Sequence, residues 1–186
     1  MKRLRLISLA SIIIFLISAC SSSLTYQKSY DRILERSENQ EDAIFLLNAY
    51  NAAITLQELA EIAPQQAYYN NLVQFTRNNQ EMHEKIAEKL DDVADDMDVK
   101  LPSEPSPMYQ SHLTILRNSQ QREFDQKFVD FVSQLYENVY EDYKNAAVNA
   151  ENEDVRVMAA KYGSFQRENL NQINNLAARL EDRENN

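Results

Sequence analysis

The residues able to do chemistry in this sequence are few. Cys20 is the only cysteine, and it follows Ile17-Ser18-Ala19. A thiol placed after a branched residue and two small ones resembles a bacterial lipobox. Small residues fit a narrow protease site, and the thiol accepts a diacylglycerol. The amine freed by cleavage can then take a further acyl chain such as palmitate. His83 and His112 are the only histidines, with Gln80 and Tyr109 three residues before them. No Glu-x-x-His occurs, so the carboxylate–imidazole set that surrounds two iron ions in helical bundles is missing. Glu58 and His83 remain as one carboxylate and one imidazole able to face each other across a helix pair, which would suit one metal ion or a small ligand. Asp91, Asp92, Asp95, Asp96 and Asp98 crowd the end of one helical stretch. Like charges four apart repel there, and a weakly held divalent cation would relieve them. The spacing lacks the glycine turn and closing glutamate of an EF-hand loop, so a solvated acidic face is the expectation. Neither a Gly-x-Ser-x-Gly elbow nor a phosphate-cradling glycine loop is present. No enzymatic activity and no cofactor are expected.

Positioning begins with the N-terminus. Lys2, Arg3 and Arg5 precede an apolar run from Leu6 to Ile17. This is the order of a secretory signal, and the run is shorter than the roughly 20 residues a membrane span needs. Residues 1–19 are therefore expected to be a lipoprotein signal peptide, with the lipid on Cys20 as the membrane anchor. A single acyl chain holds only marginally, and two or three attach effectively for good. Ser21 rather than Asp follows the cysteine, which favours sorting to the outer membrane, on its periplasmic face. The processed chain, Cys20 to Asn186, has 167 residues, enough for one domain with a real core. Of 19 basic residues three leave with the signal, so 16 face 29 acidic ones, a formal charge of −13. That balance excludes nucleic acid as a partner and leaves the lipid, not charge, to hold the membrane. The partner expected beyond the membrane is an envelope protein, and the sequence leaves the oligomeric state open.

Residues 20–37 read as a tether of at most roughly 55 Å, with a short helix from Tyr30 to Arg36. Residues 38–181 read as a four-helix bundle and 182–186 as a disordered tail. Ser37 and Gln40 fit a capping box for a first helix with Ile44, Leu47, Tyr50, Ile54 and Leu59 inward, a stripe widened by Ala43, Leu46, Ala53 and Ala60 and ended by Pro64. A second runs from Gln65 to Met97 with Leu72, Phe75, Met82, Ile86, Leu90 and Val93 inward. Pro102, Pro105 and Pro107 break the chain before a short helix from Met108 to Arg117. Ser119 is placed to cap a third long helix, and Asn152 a fourth that frays from Glu181. Gly163, the only glycine, falls inside the fourth. One glycine and no strand-like alternation argue for an all-α fold. No internal repeat stands out beyond the helix–turn–helix pairing. Ten tyrosines and no tryptophan are present. Tyr68, Tyr69, Tyr136, Tyr140 and Tyr143 are candidates for a protein- or glycan-contact surface near helix ends.

The ordered features Asp42-x-x-Phe45, Glu58, Met82-His83, Leu101-Pro102, Phe124-Asp125-x-x-Phe128-Val129 and Asn152-x-Asp154-Val155 resemble a ferritin-like domain-of-unknown-function family known as predicted outer membrane proteins. The resemblance covers about Glu41 to Leu180. It implies a ferritin-like four-helix bundle in the envelope and brings no established reaction. The family places histidines on three helices. His83 matches the first, Tyr136 and Asn169 stand at the other two, and Gly163-Ser164 replaces a Leu-Pro pair. The resemblance thus implies a polar layer of Glu58, His83, Tyr136 and Asn169.

Overall fold

The computed structural model describes residues 24, 26–35, 37 and 39–184. The signal peptide, Cys20 and the final two residues lie outside them. Residues 26–35 are helical, so the helix in the tether starts before Tyr30. Its own one-turn neighbours support it: Gln27 Nε2 donates to Asp31 Oδ1 at 2.9 Å, and the rings of Tyr26 and Tyr30 lie 6.4 Å apart.

Residues 37–186 form a separate compact unit. Its helices are α1 (Gln40–Gln66), α2 (Asn70–Asp96), α3 (Pro107–Asn118), α4 (Gln121–Asn149) and α5 (Glu153–Glu184). Among the described residues there is no strand, only an isolated bridge between Ala67 and Gln121. The four long helices pack in a ring: α1 touches α2 and α4, and α5 touches α4 and α2. Short α3 lies against α1 and α4. The bridge joins the end of α1 to the start of α4, so these two neighbours run in opposite directions. The chain from Met97 through α3 then carries it back along the ring from the end of α2 to the start of α4.

The covering of α1 by three helices explains its composition. Fifteen of its 27 residues are buried, against 11 of 27 in α2. Ala43, Ala49, Ala52, Ala53, Ala60 and Ala63 are all among them, because small side chains let neighbouring backbones approach from several sides. Of the expected inward face, Leu46, Leu47 and Leu59 are in the core, joined by Phe45 and Leu56, whereas Ile44, Tyr50 and Ile54 are only half-buried. Phe124, Phe128, Tyr136 and Tyr143 supply the bulk from α4, with Phe45 edge-on to Tyr143 at 5.1 Å.

Five boundaries differ from expectation. The first helix starts after Asn39, whose side chain makes no capping bond, so Gln40 is its first residue rather than the third residue of a capping box. Pro64 falls inside the last turn, where losing one N–H bond does not stop the helix: Ala67 N–H still reaches Ala63 O at 3.0 Å. The second helix starts at Asn70, not Gln65, because Tyr68 and Tyr69 are drawn into a turn. Ser119 closes α3, its hydroxyl donating to Ile115 O at 2.8 Å, and Gln120 precedes α4. Two caps fall where expected or beside it. Asn152 Oδ1 accepts from Asp154 and Val155 N–H at 2.9 and 3.2 Å. Ser106 opens α3 with Pro107 at its first position. The last helix runs past Glu181, to Glu184.

Contrary to the expectation of no repeat beyond helix–turn–helix pairing, the two hairpins repeat each other. Asp42 and Asp125, Phe45 and Phe128, Ala63 and Ala146, and Ala67 and Ala150 are each 83 positions apart (42 to 125, 67 to 150). Ala67 and Ala150 end α1 and α4 with the same N–H bond to the alanine four residues back, both at 3.0 Å. The α1–α2 and α4–α5 hairpins are thus two copies of one plan.

Candidate functional site

His83, on α2, and Tyr136, on α4, meet across the ring. His83 Nε2 lies 2.7 Å from Tyr136 Oη, and both side chains are buried. The hydroxyl donates when Nδ1 carries the imidazole proton and accepts when Nε2 does. Phe165 packs its ring against His83 at 5.4 Å, and Phe75 meets Tyr136 edge-on at 6.0 Å. These apolar walls exclude water. Burial pushes the His83 pKa down to about 4 and raises that of Tyr136 above the ordinary phenol value, so the pair is neutral at pH 7.

Three further polar side chains are buried on the helices flanking this pair, Asn79 on α2 and Gln166 and Asn169 on α5. Gln166 follows Phe165, and its Oε1 makes no hydrogen bond. Its amide opposes, at Tyr143, the upward push that burial gives that phenol. Asn169 donates through Nδ2 to Phe165 O at 2.9 Å and leaves Oδ1 without a partner; His83 Nδ1 is likewise unpartnered. Asn79, on α2, makes the matching bond to Phe75 O at 2.9 Å.

The four-residue layer is therefore only partly assembled. His83 and Tyr136 are joined, while Asn169 bonds to its own helix. Glu58 is not in the layer: its half-exposed carboxylate pairs with Arg117 of α3. The neighbour that reaches His83 is Gln57, whose amide donates to the histidine's backbone carbonyl at 3.3 Å. One position along a helix turns a side chain by about 100°, enough to move it from the interior to the rim. Asp91, Asp92, Asp95 and Asp96 are all exposed, and Lys89 approaches Asp92 at 3.8 Å. Val99 N–H reaches back to Ala94 O at 2.8 Å, closing α2 with Asp98 at φ 54°. Among the described residues no three His, Cys, Asp or Glu side chains gather as a metal ion would require. Of the tyrosines named for a contact surface, Tyr136 and Tyr143 are fully buried in the core and Tyr69 is buried too, leaving Tyr68 exposed and Tyr140 half-buried.

Two aspartates prove to organise the fold. Asp125 is buried and accepts the backbone N–H groups of Tyr68 and Tyr69, one on each oxygen, at 3.1 and 2.9 Å. Burial raises its pKa, and the two N–H bonds oppose that rise. Asp42 is buried likewise, and its Oδ2 accepts Asn152 N–H at 2.7 Å. Each carboxylate thus anchors the hairpin turn of the other helix pair. Asn51 does the same for the crossing segment, its Oδ1 accepting Ser106 N–H at 2.7 Å. The recurring Asp-x-x-Phe was the signal for the first two.

No helix among the described residues is long and apolar enough to cross a membrane. No curated protein and no solved structure matches the chain. Residues 34–176 match the family described as Domain of unknown function (DUF4142), a span that holds both Asp-x-x-Phe turn anchors and the His83–Tyr136 pair. The chain belongs to that family.

Proposed function

We propose that this protein is an outer-membrane lipoprotein, anchored through lipid on Cys20, whose ferritin-like helical body faces the periplasm as a non-enzymatic interaction or envelope-maintenance module. The observation that carries the reading of the body is the use made of its two buried carboxylates and of Glu58. Asp42 and Asp125 are spent on backbone N–H groups of turns, and Glu58 on a surface ion pair. Groups that would serve as acids, bases or ligands in an enzyme are here parts of the scaffold. The anchor rests on the signal and lipobox in the sequence. Feeding cells labelled palmitate tests it. Label should enter the wild type, and Cys20→Ala should stay unlabelled and unprocessed; label on that variant overturns the anchor.

A second reading has its own support. His83 Nδ1, Gln166 Oε1 and Asn169 Oδ1 are buried polar atoms without partners. Unsatisfied interior groups are costly, and a metal ion or small ligand would repay them. In this reading the body is a ferritin-like metal- or small-ligand-binding protein that uses His83 without Glu58. Elemental analysis of the full chain, purified without chelator or histidine tag, decides it. Near-stoichiometric iron, zinc or manganese that disappears in His83→Ala would establish the metal form; metal-free protein whose native mass spectrum also shows no bound small molecule would end the reading.

A further inference from the structure

Where α1 turns into α2, beside the start of α4 and the end of α5, the surface holds a cleft of about 200 Å³. Tyr68, Tyr69, Arg122, Asp125 and Arg183 line it. The Arg122 guanidinium stands 5.6 Å from the centre of the Tyr68 ring, and that of Arg183 4.4 Å from Tyr69. Neither arginine is paired with a carboxylate among the described residues. Asp125, the one acid in the lining, spends both oxygens on the Tyr68 and Tyr69 N–H groups. One carboxylate against two guanidiniums leaves the cleft positive, in a chain of formal charge −10. The matching cleft at the other end of the repeat, lined by Glu41, Asp42 and Asp142 with no basic residue, is acidic.

The chemistry of these groups narrows the ligand. A guanidinium stacked on an aromatic face keeps the N–H donors at its edge, which match the paired oxygens of carboxylate and phosphate. Tyr68 is 62 % exposed, the largest aromatic face open to solvent in the cleft. An exposed tyrosine ring suits the C–H face of a pyranose, with its hydroxyl left for hydrogen bonding. The turn carrying both tyrosines is fixed by Asp125, so the wall needs no ordering on binding.

We propose that this cleft binds a sugar-sized ring bearing a phosphate or carboxylate, with the oxyanion held by Arg122 and Arg183 and the ring on Tyr68. This deepens the interaction reading, on which it rests, by naming what the body contacts. The lipid plays no part in it, so lost sugar binding with intact palmitate labelling removes the cleft alone, and failed labelling leaves the titration untouched.

The test uses the full chain in neutral detergent, titrated calorimetrically with glucose 1-phosphate, glucuronate, glucose and inorganic phosphate. At least one charged sugar should bind at about millimolar concentration or tighter, and glucose at least about tenfold more weakly. Preference between the two charged sugars identifies phosphate or carboxylate as the natural group. Arg122→Gln and Arg183→Gln should each weaken the charged sugar by at least about fivefold with unchanged melting, and Tyr68→Ala should weaken it while sparing inorganic phosphate. Equal affinity for glucose, undiminished binding by the double arginine variant, or no binding of either charged sugar at about 10 mM would overturn the proposal.

Discussion

Asp42 and Asp125 hold equivalent places at opposite ends of the helical body, each buried and each bonded to the backbone of the turn in the other hairpin. The exchange locks the two hairpins together at both ends without a disulfide. Asp125 serves two N–H groups and Asp42 is shown with one, so their removal should differ in cost. Asp125→Ala leaves two N–H groups without their acceptor and should lose about 2–4 kcal/mol in urea unfolding. Asp42→Ala should lose about 1–3 kcal/mol, and Asp125→Asn, which keeps one acceptor, less than Asp125→Ala. Wild-type stability in Asp125→Ala would remove the anchoring role.

His83 makes the body sensitive to mild acid. Its pKa falls from 6.5 to about 4 on folding, because burial penalises the charged ring. The unfolded chain therefore binds more protons between those values, and stability falls as pH drops through that window. From pH 7 to 5 the loss should be roughly 2 kcal/mol, and above about pH 7.5 this residue should contribute almost no slope. His83→Gln should flatten the curve over the same range. Urea midpoints at half-unit pH steps compare the two proteins; parallel curves would mean that the imidazole is not buried in its neutral form.

Tyr136 is the sole hydrogen-bond partner shown for the His83 ring. Tyr136→Phe keeps the ring packed against Phe75 and deletes only the hydroxyl, so the effect isolates one bond. It should cost about 1–3 kcal/mol, since His83 Nε2 is then left buried and unpaired. In a double-mutant cycle with His83→Phe the two losses should fall short of additivity by about 1 kcal/mol or more. Strict additivity would show that the two side chains touch without depending on each other.

The helices were readable because apolar residues recur at helical spacing over long windows, and the proline-rich break before α3 is equally plain. Their ends were harder, for a reason seen at Tyr68 and Tyr69. The acceptor that shapes that turn sits 56 positions away from Tyr69, on another helix, and local capping rules cannot see it. On α1 the helical stripe picks out Ala43, Ala53 and Ala60 but not Ala49, Ala52 and Ala63, which are buried because helices cover α1 from several sides. The site followed the same logic. Residue type alone suggests a contact surface for Tyr136, and the family resemblance sets it in a layer with His83; its hydroxyl lies 2.7 Å from His83 Nε2. Glu58 was misplaced by a single helical step from Gln57. Gln166 carries no signal of its own, standing among Ser164, Arg167, Glu168 and Asn169.

Gly163 offers a gain in stability. A lone glycine inside a long helix suggests either a bend or a close approach that a side chain would block. The geometry requires neither. Its φ is not positive, and a Cβ built there would meet Tyr143 Cβ at 3.8 Å, an ordinary van der Waals contact. Alanine therefore fits without displacing α4. It also restricts the unfolded chain, and the two effects act in the same direction. Gly163→Ala should raise stability by about 0.5–1 kcal/mol, measured as a higher urea midpoint at unchanged slope. A loss of stability would mean that α4 and α5 approach more closely at Tyr143 than this distance allows, and that the glycine is kept for packing.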